Sequence, residues 1–181
     1  WIARETGRTE EQDQGSRRLV EMLPDFPVLK ALPVGDAAEA GHHDIAAAML
    51  DELAPDEFAA VGRGWLTTLA LGNVAWATIT VDARQHAPVL RRLLSDYEGT
   101  IAVIASGTNA MCSVDRLLGG LAALEDDHSE ADRLFAAALA QEEGVRSPPL
   151  AARTRHWWAR ALIRRGDPER ARPLIAAALE T

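Results

Sequence analysis

The stretch Arg164–Glu180, Arg-Arg-Gly-Asp-Pro-Glu-Arg-Ala-Arg-Pro-Leu-Ile-Ala-Ala-Ala-Leu-Glu, reads as one helix ending, a tight turn and a second helix beginning. Gly166 suits the left-handed conformation that closes a helix. Asp167 is a natural cap for the helix that follows, and Pro168 fits its first position. Glu169 puts negative charge in the first turn, where the helix dipole favours it. Ala171, Ile175 and Ala178 then share one face, at spacings of four and three.

The same face recurs upstream. Ala131, Phe135 and Ala138 have this spacing, as do Ala46, Leu50 and Leu53, and Ala87, Arg91 and Leu94 follow it with one polar member. The leading alanines fall at 46, 87, 131 and 171, in steps of 41, 44 and 40, and a step of 34 back from Ala46 reaches Gln12. A second element repeats in the preceding helices, in the pairs Pro33-Val34, Val74-Ala75, Leu118-Gly119 and Trp158-Ala159. Each is an apolar residue followed, in three of the four, by a small one that lets paired helices approach closely. The pattern resembles the tetratricopeptide repeat, a helix–turn–helix unit of ~34 residues. It implies an all-α, tetratricopeptide-like α-solenoid of antiparallel helix pairs. The alternative is a non-repetitive bundle of Ala-rich helices.

Composition sets outer bounds. The 181 residues are 48% hydrophobic, enough for a sizeable core, and sparse β-branched residues favour helix. The net charge of −8 and a pI near 5.1 argue against direct nucleic-acid binding by this segment. A single cysteine, Cys112, excludes an internal disulfide framework and suits a reducing cytoplasm. No apolar run is long enough to span a membrane. The chain opens Trp1-Ile2-Ala3-Arg4, without an initiator Met, and reads as a piece of a longer protein: one helical-repeat domain over 1–181 with a truncated first repeat at 1–23.

The helices expected are the tail of one at 1–6, then 10–23, 28–40 with Pro33 kinking or shortening it, 45–53, a start or single turn at 55–58, 65–80, 84–97, 108–124, 130–142, 150–165 and 169–179. Thr100–Ala105 is a short apolar run with no visible strand partner, so the sequence predicts an ordered loop across the helices and no sheet.

Local strings sharpen the resemblance. They are Leu53-Ala-Pro-Asp-Glu-Phe58 with Trp65-Leu-Thr-Thr-Leu-Ala70, Leu93-Leu-Ser-Asp-Tyr97 with Gly99, Ser113-Val-Asp-Arg-Leu-Leu-Gly-Gly-Leu-Ala122, Ala131–Phe135 and Gly166-Asp167. In this order they are similar to the C-terminal helical region of large bacterial signalling ATPases, which include LuxR-type transcriptional regulators and class III adenylate cyclase-linked proteins. The resemblance covers about residues 1–180. It implies a sensor or cyclase domain and a P-loop ATPase upstream, and in LuxR-type members a DNA-binding helix-turn-helix downstream. The pattern is broken at Pro33, Arg91 and Gly62-Arg63-Gly64.

Little in the chain carries chemistry. There is no Gly-x-x-x-x-Gly-Lys-Ser/Thr phosphate cradle and no nucleophile elbow. His42-His43 and Glu125-Asp126-Asp127-His128 read as solvated turns, and the latter lacks the spacing and central Gly of a calcium loop. Cys112 is expected on a buried helix face. Trp65 and Trp76, eleven apart, should share a core face. Trp157 and Trp158 point about 100° apart, so only Trp158 can face its paired helix. Trp157, with Arg153 and Arg160 on the same surface, is the candidate partner-binding site: an aromatic anchor ringed by arginines, suited to an acidic peptide. Packing of Trp157 against the preceding repeat is the competing reading.

These readings give no catalytic residue, no metal and no cofactor. They point to a non-catalytic interaction and regulatory module in the cytoplasm, binding a protein partner or other domains of the same polypeptide, with no membrane contact. An apolar N-terminal edge of Trp1, Ile2, Leu19, Val20 and Leu23 is expected to allow a weak homodimer. The alternative function is an effector-sensing domain with a small-molecule groove near Trp65, Trp76 and the 98–107 loop.

Overall fold

A computed structural model describes residues 7–61, 64, 66–104 and 109–180, with the backbone alone at residues 27, 104 and 109. The expected helix tail at 1–6, Trp65 and the Gly62-Arg63 break lie outside the described residues. Among those described, the fold is mostly helical, with ten helices and two short strands. The helices are α1 (Thr9–Met22), α2 (Ala31–Glu39), α3 (His43–Leu53), α4 (Pro55–Phe58), α5 (Thr67–Thr80), α6 (Ala87–Ser95), α7 (Val114–Leu124), α8 (His128–Gly144), α9 (Pro148–Arg164) and α10 (Pro168–Leu179). The strands are β1 (Ile101–Ile104) and β2 (Asn109–Ser113). The chain divides into two compact units, Trp1–Leu93 and Leu94–Thr181.

One turn recurs along the chain. Gly41, Asp82, Asp126 and Gly166 all have positive φ, between 60° and 85°. At each, the next residue's N–H reaches back five residues: His42 to the Ala37 carbonyl, Ala83 to Thr78, Asp127 to Ala122 and Asp167 to Leu162, at 2.9–3.0 Å. This is the long bond of the Schellman motif, which satisfies a carbonyl that the ended helix leaves orphaned. Five residues after each turn stands a leading alanine, and Ala46, Ala87, Ala131 and Ala171 are all buried. Where the turn residue is Asp, its side chain tolerates the left-handed region as glycine does. Arg146, between α8 and α9, repeats the same bond from Ser147 to Glu142.

In the first unit α2 lies against α1, α3 and α5. Gly35 makes the α2–α5 approach possible, because a Cβ there would stand 2.7 Å from Asn73 Oδ1 and 3.2 Å from the Asn73 carbonyl. Of the two effects expected of Pro33, the helix shows the shortening and not the kink. The chain takes a 3-10 turn over Pro27–Lys30 and α2 begins only at Ala31, so Pro33 falls in the first turn, where no intrahelical N–H is needed. Pro88 is likewise the second residue of α6. At α4 the backbone turns left-handed through three non-glycine residues, Asp56, Glu57 and Phe58, with φ of 51°, 57° and 61°. Phe58 is buried edge-on against the His86 ring, which holds this strained turn in place.

In the second unit the expected loop is a strand. β1 pairs antiparallel with β2, Ile101 opposite Ser113 and Ala102 opposite Cys112, with a bulge between Ala102 and Val103. The expectation of no sheet is therefore corrected, and Cys112 sits buried in β2 rather than on a helix. The helix expected from 108 begins at Val114, where the Ser113 hydroxyl accepts the Asp115 N–H at 3.2 Å. After it, α7 packs on α8, α8 and α7 on α9, and α9 on α10. Gly119 of α7 lies under the Phe135 ring of α8, its would-be Cβ 3.2–3.3 Å away.

Candidate functional site

The sequence directs attention to α9, whose Pro148 and Pro149 occupy the first turn after the Arg146 turn. One face of this helix is inward: Leu150, Ala151, Thr154, Trp157 and Leu162 are all buried. Trp158, as its register requires, meets the paired helices. Its ring stacks on Phe135 at 6.2 Å, and its Nε1–H donates to Asp132 Oδ1 at 2.7 Å. Ala159 and Leu162 pack on Ala171 of α10, with Trp158 and Leu174 beside them.

Trp157 is not an exposed anchor. It is only 7% accessible, and the Arg116 guanidinium of α7 lies 5.7 Å from the centre of its ring. The arginine that meets this aromatic ring is thus an internal one, and the competing reading, packing against the preceding helix pair, describes its position. Arg153 and Arg160 flank His156 instead. His156 and Arg160 are exposed and Arg153 half-buried. Partial burial and the two neighbouring positive charges hold the His156 imidazole below its usual pKa.

Two polar assemblies escaped the sequence reading. The first is an internal one. Arg116 is fully buried and donates to the carbonyls of Met111 and Leu150, both at 3.4 Å. Glu142 of α8, also fully buried, accepts the Ser113 N–H at 3.1 Å and the Thr154 hydroxyl at 2.6 Å. The carboxylate thus joins the end of β2 to α8 and α9, and buried charges need such partners. The clue in the sequence was a charged residue, Arg116, inside the apolar run Val114–Ala122. The second assembly centres on Asp132. Arg165, the residue that follows α9, and Arg170 of α10 both donate to its Oδ2 at 2.9 Å, beside the Trp158 bond. Burial raises this carboxyl, but the bonds from Arg165, Trp158 and Arg170 outweigh it and hold it below the ordinary carboxylate range. No local spacing marks this group, because its partners lie 26 to 38 residues away in sequence. Nearby, burial raises the Asp115 carboxyl, against the lowering effect of the Gly99 N–H that donates to it at 2.7 Å.

In the first unit His42 lies between Glu10 Oε1 at 3.2 Å and Asp13 Oδ2 at 3.3 Å, while Asp13 also accepts from Arg17. The histidine turn is therefore tied to α1 rather than merely solvated. Among the described residues no group of three or more His, Cys, Asp or Glu could hold a metal ion, and no helix is long and apolar enough to cross a membrane. Trp76 is buried in α5. At the end of α1, Met22, Leu23 and Phe26 are exposed, while Leu19 and Val20 are half-buried. The arrangement supplies packing, ion pairing and charged surface. No family model, curated protein or solved structure matches the chain.

Proposed function

We propose that this chain is a non-catalytic, tetratricopeptide-like helical-repeat module that binds a protein partner or a neighbouring domain of its own polypeptide, in a multidomain bacterial transcriptional regulator or signalling ATPase. The observation that carries the reading is the recurrent turn. The same left-handed backbone and the same hydrogen bond, reaching back five residues, stand at the turns at 41, 82, 126 and 166, each turn residue five before a buried alanine. Repeats of this kind stack into extended surfaces used for recognition. The packing of α7, α8, α9 and α10, each hairpin against the next, supports it further. The assignment to regulators of this class rests on the motif resemblance given above.

The test has two arms. Calorimetry of the chain with ATP and magnesium should show no heat of binding. Cross-linking of the tagged chain, followed by purification of each captured protein and titration back, should give a saturable protein complex. Micromolar nucleotide binding, turnover, or small-molecule binding with no reconstituted complex would overturn the reading.

A further inference from the structure

The second unit is electrically divided. Residues 94–143 carry ten carboxylates and two arginines, whereas residues 144–181 carry eight arginines and three carboxylates. Part of that positive charge is used inside the unit. Arg165 and Arg170 reach Asp132, and Arg155 pairs with Glu143 across to α8. Arg172 pairs with Glu169 on its own helix. The outward face of α9 carries further basic side chains. Pro149, Arg153, His156, Arg160, Ile163 and Arg164 recur at three- and four-residue spacings, which places them on one stripe running about 22 Å along the helix. All but Arg153 are exposed. Ile163 is 51% accessible, a large apolar side chain among cations.

We propose that this stripe docks an acidic peptide segment, one that sets carboxylates around a large apolar side chain. The proposal rests on the interaction-module reading and names the surface and the chemistry of the partner. Charge complementarity argues for it, since a basic stripe on a chain of net charge −8 marks a local and not a global preference. Guanidinium groups at helical spacing match carboxylates presented by a second helix or an extended segment. Ile163 supplies the apolar contact that fixes register, which a phosphate backbone would leave unused. A long polyanion would also meet the field of the acidic remainder, whereas a short segment does not extend that far. Arg153 and Arg160 stand three residues before and four after His156, so helical spacing places their charges on this same surface. Trp157 has no part in the contact.

The experiment uses fluorescence anisotropy with the full chain and a labelled ten-residue peptide of Glu-Glu-Leu repeats. A Gln-Gln-Leu peptide and a single-stranded oligonucleotide of equal length serve as comparisons. Saturable binding of the acidic peptide is expected, weakened about tenfold by Arg160→Glu, weakened by added salt, and reduced several-fold by Ile163→Ser. Arg172→Glu, on the exposed surface of α10, should leave affinity within about twofold. Both charge variants alter exposed side chains, so their melting curves should match the parent's. No binding of the acidic peptide, or binding that ignores Arg160→Glu, overturns the proposal. Tighter binding of the oligonucleotide overturns it in favour of nucleic acid. Self-association of the chain that disappears with Arg160→Glu overturns it in favour of a second copy. If the stripe fails while a captured protein still forms a complex, the module reading stands without it; if no complex forms at all, the module reading itself falls.

Discussion

At the residue scale, the small positions decide how close the helices come. Ala171 is buried against Ala159 and Leu162. Ala171→Arg should overfill that contact and desolvate a charge, costing at least ~2 kcal/mol. Glu169→Arg, two residues earlier, loses an exposed bond to Arg172 and a favourable first-turn charge, together under about 1 kcal/mol, and should melt closer to the parent. Equal melting of the two variants would refute the register. This register was legible because Gly166, Asp167 and Pro168 are punctuation that only one arrangement of helices satisfies. The left-handed turn at α4 was not legible, since Asp56-Glu57-Phe58 carries no glycine to announce it. It makes an unusual forecast. Glu57 sits at φ 57°, which costs an L residue ~1–2 kcal/mol, and its ion pair with Arg92 is exposed. Glu57→Gly should therefore leave stability unchanged or raise it by up to ~1 kcal/mol, whereas Glu57→Val should lower it by ~1–2 kcal/mol. Urea unfolding of the pair would check this, and a glycine variant less stable than the valine one would refute it.

At the element scale, α8, α9 and α10 are fastened by one carboxylate. Because the bonds to Asp132 hold its folded pKa below the unfolded value, its stabilisation is fully present above the ordinary carboxylate range. It is lost as pH falls through the folded value. Asp132→Asn should cost about 1–3 kcal/mol at pH 7, and the difference from the parent should shrink toward pH ~3, where the unfolded carboxyl is already protonated. Urea midpoints at the two pH values measure it, and a pH-independent difference would refute the charge argument. Sequence periodicity found these three helices but not the hub, because the Asp132 partners come from two other helices. It also missed the sheet. Asn109-Ala110-Met111-Cys112-Ser113 has the composition of a helix start, and its extended form follows from pairing with β1 and from the Ser113 N–H bond to Glu142. The adjacent tryptophans were half legible. Helical geometry assigned Trp158 to its paired helix, where it lies beside Ala171, yet nothing in the sequence revealed its stacking on Phe135 of α8 or that Arg116 would fill the space over Trp157.

At the scale of the whole molecule, the mostly helical character followed from Ala and Leu content and from the repeating faces, while the division after Leu93 crosses no marked linker and leaves no compositional trace. The charge division within the second unit has a kinetic side. A chain broken before Gly144, the last residue of α8, would yield an anionic piece with the hairpin, α7 and α8, and a cationic piece with α9 and α10. Each piece alone lacks the apolar surface of its complement, and each draws the other across solvent. Made as separate peptides of 94–143 and 144–181, they should reassemble by fragment complementation, as a split reporter does. Their encounter should be fast in dilute buffer and slow by an order of magnitude or more near physiological ionic strength, while the rate of parting changes far less. Stopped-flow mixing, following the burial of Trp157, would separate those two rates.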